Sequence, residues 1–334
     1  MNQIATGFLL LVVAGIANSN FATPMKYTRR WAWENTWFAW TIFALLILPS
    51  VTTVMTVPGI WQIYQQSGGS ILLTVSLYGA GWGVAKVFFG LAVESLGIAL
   101  TFSIVMGISA AVGSMVPMIR LHPEKLFSHA GYGLMAGVSV MMLGVIVCAV
   151  AGSLRERVQA SHQDRSKQSY GVGLTLAILC GLGASFVNLA LSFGTPIVDL
   201  ARSFGVTPLH AVNAVWALVM LAGAIPNLGY CIYLMRRNHT SGKMRAGGAS
   251  HWLLAFLMAC LWFGSTILYG SATIRLGSLG TIFGWPLFMS LIVISAGLVG
   301  MLTGEWKQSG RKPALLQTGG VALLVTAVFV LTRS

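Results

Sequence analysis

Ten apolar blocks, each roughly 18 to 25 residues long and divided by short polar stretches, run the length of this chain. Such a block matches about 30 Å of hydrocarbon at 1.5 Å of rise per residue. Hydrocarbon offers no water to a backbone amide or carbonyl, so each block must satisfy its own hydrogen bonds as a helix. The alternating ten-residue pattern of barrel strands does not occur. The expected fold is an all-α membrane protein with ten transmembrane helices, near 4–23, 36–57, 71–93, 98–119, 131–151, 171–192, 208–235, 251–273, 280–302 and 313–332. A short interfacial helix is expected over 193–207, and a kink at Pro226. Composition excludes the soluble alternative. Only 8% of the 334 residues are charged and 56% are hydrophobic, whereas soluble domains are about a quarter charged. The first block meets Pro24-Met25-Lys26 without a basic leader or a small-residue cleavage site, so it reads as a retained helix.

The net charge of +13 sits in loops rather than on a folded basic face, which argues against nucleic acid as a partner. Fourteen Lys and Arg fall in the odd-numbered connections, around Lys26–Arg30, Arg155–Lys167, Arg236–Arg245 and Lys307–Lys312. Five fall on the other side: Arg120, Lys125, Arg202, Arg275 and Arg333. The positive-inside bias makes the first side cytoplasmic and leaves both termini periplasmic, in a bacterial inner membrane. The four cysteines are isolated and read as packing residues. No phosphate loop, metal cluster, carboxylate pair or nucleophile triad is present, so neither an enzyme nor an ATP-driven pump is expected. No cofactor is expected beyond a proton gradient, and no obligatory protein partner is evident.

The chain also echoes itself. Trp82, Gly90 and Leu96-Gly97 are repeated 180 residues later as Trp262, Gly270 and Leu276-Gly277. Gly7 and Gly15 likewise echo Gly173 and Gly181. The expected organisation is a five-helix repeat over 1–152, a cytoplasmic polar linker over 153–170 and a second five-helix repeat over 171–334. An odd number of helices per half inverts the second, an arrangement suited to alternating access around a central site.

Several motifs resemble those of the L-rhamnose–proton symporters of the drug/metabolite transporter superfamily. They are Trp31-Ala32-Trp33-Glu34-Asn35-Thr36-Trp37, Tyr78-Gly79-Ala80 with Trp82-Gly83, Gly205-Val206-Thr207-Pro208, Asn227-Leu228-Gly229 with Cys231, and Glu305-Trp306 before Gly310-Arg311 and Pro313. They span nearly the whole chain. The resemblance implies two inverted five-helix halves and proton-coupled uptake of a sugar. The chain departs from the enteric carriers, which have Asn at the position of Lys86, Gln at Ser265, and Asp and His at Thr281 and Phe288.

Sugar recognition needs flat aromatic faces for the apolar side of the ring, with amides and hydroxyls for its edge. Trp82 and Trp262 each precede a polar residue by one turn, Lys86 and Thr266 respectively. Asn20, Asn188, Asn213, Ser265 and Trp285 add polar or stacking groups within apolar blocks, so these nine residues form the candidate binding set. Lys86 shares a helix face with Gly79, Trp82, Gly83 and Gly90, about seven residues from the basic end. It reads either as a substrate or proton site or as a lysine snorkelling toward Glu94. Glu34, Asp199 and Glu94 are the other proton-coupling candidates. Against that stand a helix-cap role for Glu34 and pairing with Arg202 for Asp199. Glu305 is expected to balance Arg311 and Lys312, and His210 and His251 are candidate pH-sensitive groups. The resulting reading is a secondary carrier, a symporter of L-rhamnose or a related monosaccharide. An exporter or exchanger of a metabolite such as a sugar acid is the alternative, and a non-transporting receptor or enzyme the alternative of another class.

Overall fold

The computed structural model describes residues 3–96, 98–159, 170–302 and 310–333. Ten helices in it are long and apolar enough to cross a membrane. They are α1 (Gln3–Asn20), α2 (Trp33–Thr56), α3 (Gly69–Leu96), α4 (Ile98–Leu121), α5 (His129–Gln159), α6 (Gly171–Ser203), α7 (Pro208–Arg237), α8 (Gly248–Leu276), α9 (Ser278–Leu302) and α10 (Arg311–Arg333). The chain is a multi-pass membrane protein. Most helices extend two or three residues beyond the hydropathic blocks, because a helix can continue through the interface after its apolar segment ends. α5 runs eight residues past its expected end, into the polar linker. Residues 160–169, Gly97 and Glu305 lie outside the described set.

Two helices carry irregularities that hydropathy does not record. In α2, residues Ile42–Ile47 form a π-helical turn immediately before Pro49. Proline has no N–H to give the carbonyl four residues back, and its ring crowds that carbonyl, so the preceding turn widens. α6 breaks at Ser185, whose hydroxyl donates to Leu182 O at 2.5 Å. The expected short helix beyond it is present as Thr195–Ser203.

The chain packs as two compact units, each drawn from both halves of the sequence: residues 1–87 with 189–275, and residues 88–188 with 276–334. In the first, α2 and α7 lie antiparallel. α3 meets α7 at glycines: a Cβ at Gly79 would strike the Val219 carbonyl, and one at Gly83 would strike that of Gly223. Such contact needs a residue without a side chain on at least one of the two helices. In the second unit α5 and α10 pack along their length. Gly137 faces Leu331, Gly144 faces Leu324, and Gly320 faces Cys148.

Candidate functional site

Within the first unit, indoles form a continuous ladder. Trp33 stacks on Trp37 at 5.2 Å, Trp37 leans on Trp40 at 4.5 Å, and Trp40 meets Trp262 edge-on at 5.3 Å. Trp262 then stacks on Trp82 at 5.5 Å and 21°. α2 supplies three rungs because residues 33, 37 and 40 share one helical face. Phe21, from the turn after α1, packs on both Trp37 and Trp40. Exposure falls from 38% at Trp33 to 0% at Trp40 and 3% at Trp82, so the ladder runs from the basic end of the helices into the interior.

Polar groups line its inner rungs. Asn18 Nδ2 donates to Ser265 Oγ at 2.8 Å, while Ser265 and Thr266 donate their hydroxyl protons to Trp262 O. Asn227 donates to Gly223 O at 2.9 Å and Gly83 O at 3.3 Å, and accepts from Trp37 Nε1 at 3.4 Å. One amide therefore joins the Trp31–Trp37, Trp82-Gly83 and Asn227–Cys231 motifs. Lys86 Nζ lies over the Trp82 ring, 5.2 Å from its centroid. Because Trp82 is one turn nearer the helix N-terminus, this contact carries the ammonium toward mid-helix. α3 continues to Leu96, so Lys86 lies ten residues from the helix end, while the apolar span ends at Val93, seven residues on.

The remaining candidates are dispersed. Asn20 donates to Ile16 O and to Ser19 Oγ, closing the end of α1. Asn213 donates to Thr56 Oγ1 at 2.9 Å, and its carbonyl accepts from Thr53 at 2.9 Å. Asn188 and Trp285 belong to the second unit, donating to Gly113 O at 2.7 Å and to Ser109 O at 3.0 Å on α4. Asp199 is exposed and pairs with Arg202 at 3.7 Å, as expected. Glu94 is on α3, but its side chain lies outside the described set. His210 is exposed, whereas His251 is buried against Trp31, its Nε2 accepting from the Arg30 amide at 3.4 Å.

Glu34 is buried at the start of α2. Its Oε1 accepts from Thr240 Oγ1 at 2.6 Å and Asn238 Nδ2 at 3.1 Å, in the turn after α7. The neighbouring Asn35 caps Ala32 N and donates to Thr240 O at 3.1 Å. Asn18, Trp37, Trp40 and Asn227 were outside the candidate binding set, although Trp37 and Asn227 stand in the quoted motifs. The spacing of Trp37 from Trp33 was visible there. Asn18, about 200° around the helix from Asn20, becomes a candidate only once α8 is placed beside it.

Indole faces beside amides, hydroxyls and an ammonium can hold a small polyhydroxylated ring. Trp82 and Trp262 turn their facing sides to each other, so a ring could lie between them only if α3 and α8 parted. Among the described residues no group of three His, Cys, Asp or Glu side chains could hold a metal ion.

Comparison with known proteins covers nearly the whole chain. The L-rhamnose-proton symport protein (RhaT) family model matches residues 1–332. An L-rhamnose-proton symporter of Salmonella typhi is 31% identical over 341 aligned positions, covering 98% of each chain. One of Cronobacter sakazakii is 32% identical, covering 98% of this chain and 97% of its own. A ten-helix chain with these motifs, matched from end to end, belongs to the L-rhamnose-proton symport protein family.

Proposed function

We propose that this protein is a secondary carrier that moves L-rhamnose, or a closely similar deoxy sugar, into the cell together with a proton. The observation that carries the reading is the buried Trp40–Trp262–Trp82 stack, with Lys86, Asn18, Ser265 and Thr266 beside it. Trp82, Trp262, Lys86, Ser265 and Thr266 are the proposed sugar-binding residues, joined by Asn18 and Trp37. Asn20, Asn188, Asn213 and Trp285 are given supporting roles, since their amides and indole are bonded to neighbouring backbone or hydroxyl groups. The family supplies the substrate class, because the relatives are named as L-rhamnose-proton symporters.

Alternating access between two inverted five-helix halves is part of the proposal. It is supported by the 180-residue echo and by the first unit, which takes 87 residues from each half. Location in a bacterial inner membrane, with the basic loops cytoplasmic and both termini periplasmic, is also part of the proposal, and the charge bias supports the orientation.

The test is uptake of labelled L-rhamnose by the purified protein in liposomes. An imposed gradient, alkaline inside, should drive accumulation above the external concentration. Binding without accumulation would leave a receptor and refute the carrier. Competition by other deoxy-hexoses, pentoses and sugar acids would define the substrate.

A further inference from the structure

The seam between α2 and α7 is fastened by side chains at both ends, and the two fastenings differ in chemistry. At the end away from the basic loops the groups are neutral: Thr53 and Thr56 with Asn213 and, from the short helix Ile60–Gln66 that follows α2, Tyr64 donating to Ala214 O at 2.7 Å. Burial pushes the Tyr64 phenol up, so it remains a donor at any physiological pH. At the basic end the central acceptor is a carboxylate. Glu34 Oε1 takes hydrogen bonds from Thr240 and Asn238, while Asn35 grips the Thr240 carbonyl and Met235 Sδ. Of the acidic side chains described, Glu34, Glu124 and Asp199, Glu34 alone is buried.

We infer that Glu34 is the proton-responsive group of a latch between α2 and the turn after α7, so that opening the basic end requires its protonation. This deepens the carrier reading and rests on it. The charge-assisted bonds exist only while the carboxylate is ionised, and such bonds are roughly twice as strong as neutral ones. A proton taken onto a Glu34 oxygen from water admitted from the opposite side, while that side is open, removes that charge and loosens the Thr240 and Asn238 contacts. Once the end has opened, the proton passes to water on the basic side. The restored carboxylate then accepts both bonds again and closes the latch.

The charged and titratable groups around Glu34 come from α7, the segment after it and the loop before α2. Lys243 is in the segment after the turn, and Cys231 is on α7. His251 holds the loop before α2 through the Arg30 amide, and Arg29 and Arg30 are in that loop.

The experiment uses the full chain in liposomes and two readouts. One is counterflow of labelled L-rhamnose at symmetric pH, which needs both ends to open. The other is accumulation driven by an imposed pH gradient. In Glu34→Gln, an uncharged isostere, the ratio of accumulation to counterflow should fall at least tenfold. Accumulation at the wild-type ratio overturns the inference. If Glu34→Gln abolishes both readouts, Thr240→Val decides. It leaves the acid in place but removes a donor that favours the ionised form, so the pH midpoint of accumulation should move up by about one unit. An unmoved midpoint overturns the inference. Absence of counterflow in the unmodified protein would instead overturn the carrier reading itself.

Discussion

Replacing Gly83 by Ala tests whether the helix contact beneath the tryptophan ladder sets its geometry. An added Cβ would run into Gly223 O and sit 2.6 Å from Pro226 Cγ and 2.9 Å from Gly223 Cα, where ordinary contact starts at 3.4 Å. Two of these atoms are backbone and the third belongs to a rigid ring, so α3 and α7 must separate by about 1 Å. The bond from Asn227 to Gly83 O is already 3.3 Å long, and that movement takes it beyond hydrogen-bonding range. Overpacking of about 1–3 kcal/mol plus a lost bond of about 1 kcal/mol gives about 2–4 kcal/mol in all. The assay is thermal unfolding of the purified protein in detergent, where a fall on the order of 5 °C or more is expected. Gly90→Ala, seven residues along the same helix, is the control. An added Cβ there meets nothing within 4 Å among the described residues, and helix propensity favours Ala. If Gly83→Ala melts with the wild-type protein, the contact does not constrain the ladder and the reasoning is wrong.

Three further outcomes follow from the site. Changing Trp82 and Trp262 together to Ala should abolish L-rhamnose uptake while leaving membrane insertion and helical circular dichroism intact; normal uptake would exclude the stack from substrate binding. Lys86→Met should lower uptake at least tenfold, since it removes the ammonium from mid-helix but keeps a long apolar stem over Trp82; transport at the wild-type rate would reduce Lys86 to packing. Asn18→Ala and Ser265→Ala, singly and together, should show non-additive losses of thermal stability, with a coupling of about 0.5–1.5 kcal/mol for their hydrogen bond; additive losses would mean that the 2.8 Å contact contributes nothing.

The local character of this protein is written into its sequence. The hydrocarbon core imposes a length and an apolar composition on every segment that crosses it, so ten helices can be counted from hydropathy alone. Placement of Lys and Arg in alternate loops is equally local. So is the pairing of Asp199 with Arg202, three residues apart on one short helix.

What the tertiary structure decided lies wherever two distant segments must be brought into register. Trp82 and Trp262 are separated by 180 residues, yet their rings stack; equally spaced glycines hint at duplication but cannot say which faces meet. Glu34 reads as a helix cap in sequence, because its partners Asn238 and Thr240 are more than 200 residues away. In membrane helices the hydrophobic effect drives insertion but does not choose neighbours, since lipid is as apolar as a partner helix. Neighbours are chosen by close approach at glycines and by a few polar bonds, and both depend on rotation and register. Those two quantities are absent from a hydropathy profile, which is why the spans were legible and the site was assembled only by the fold.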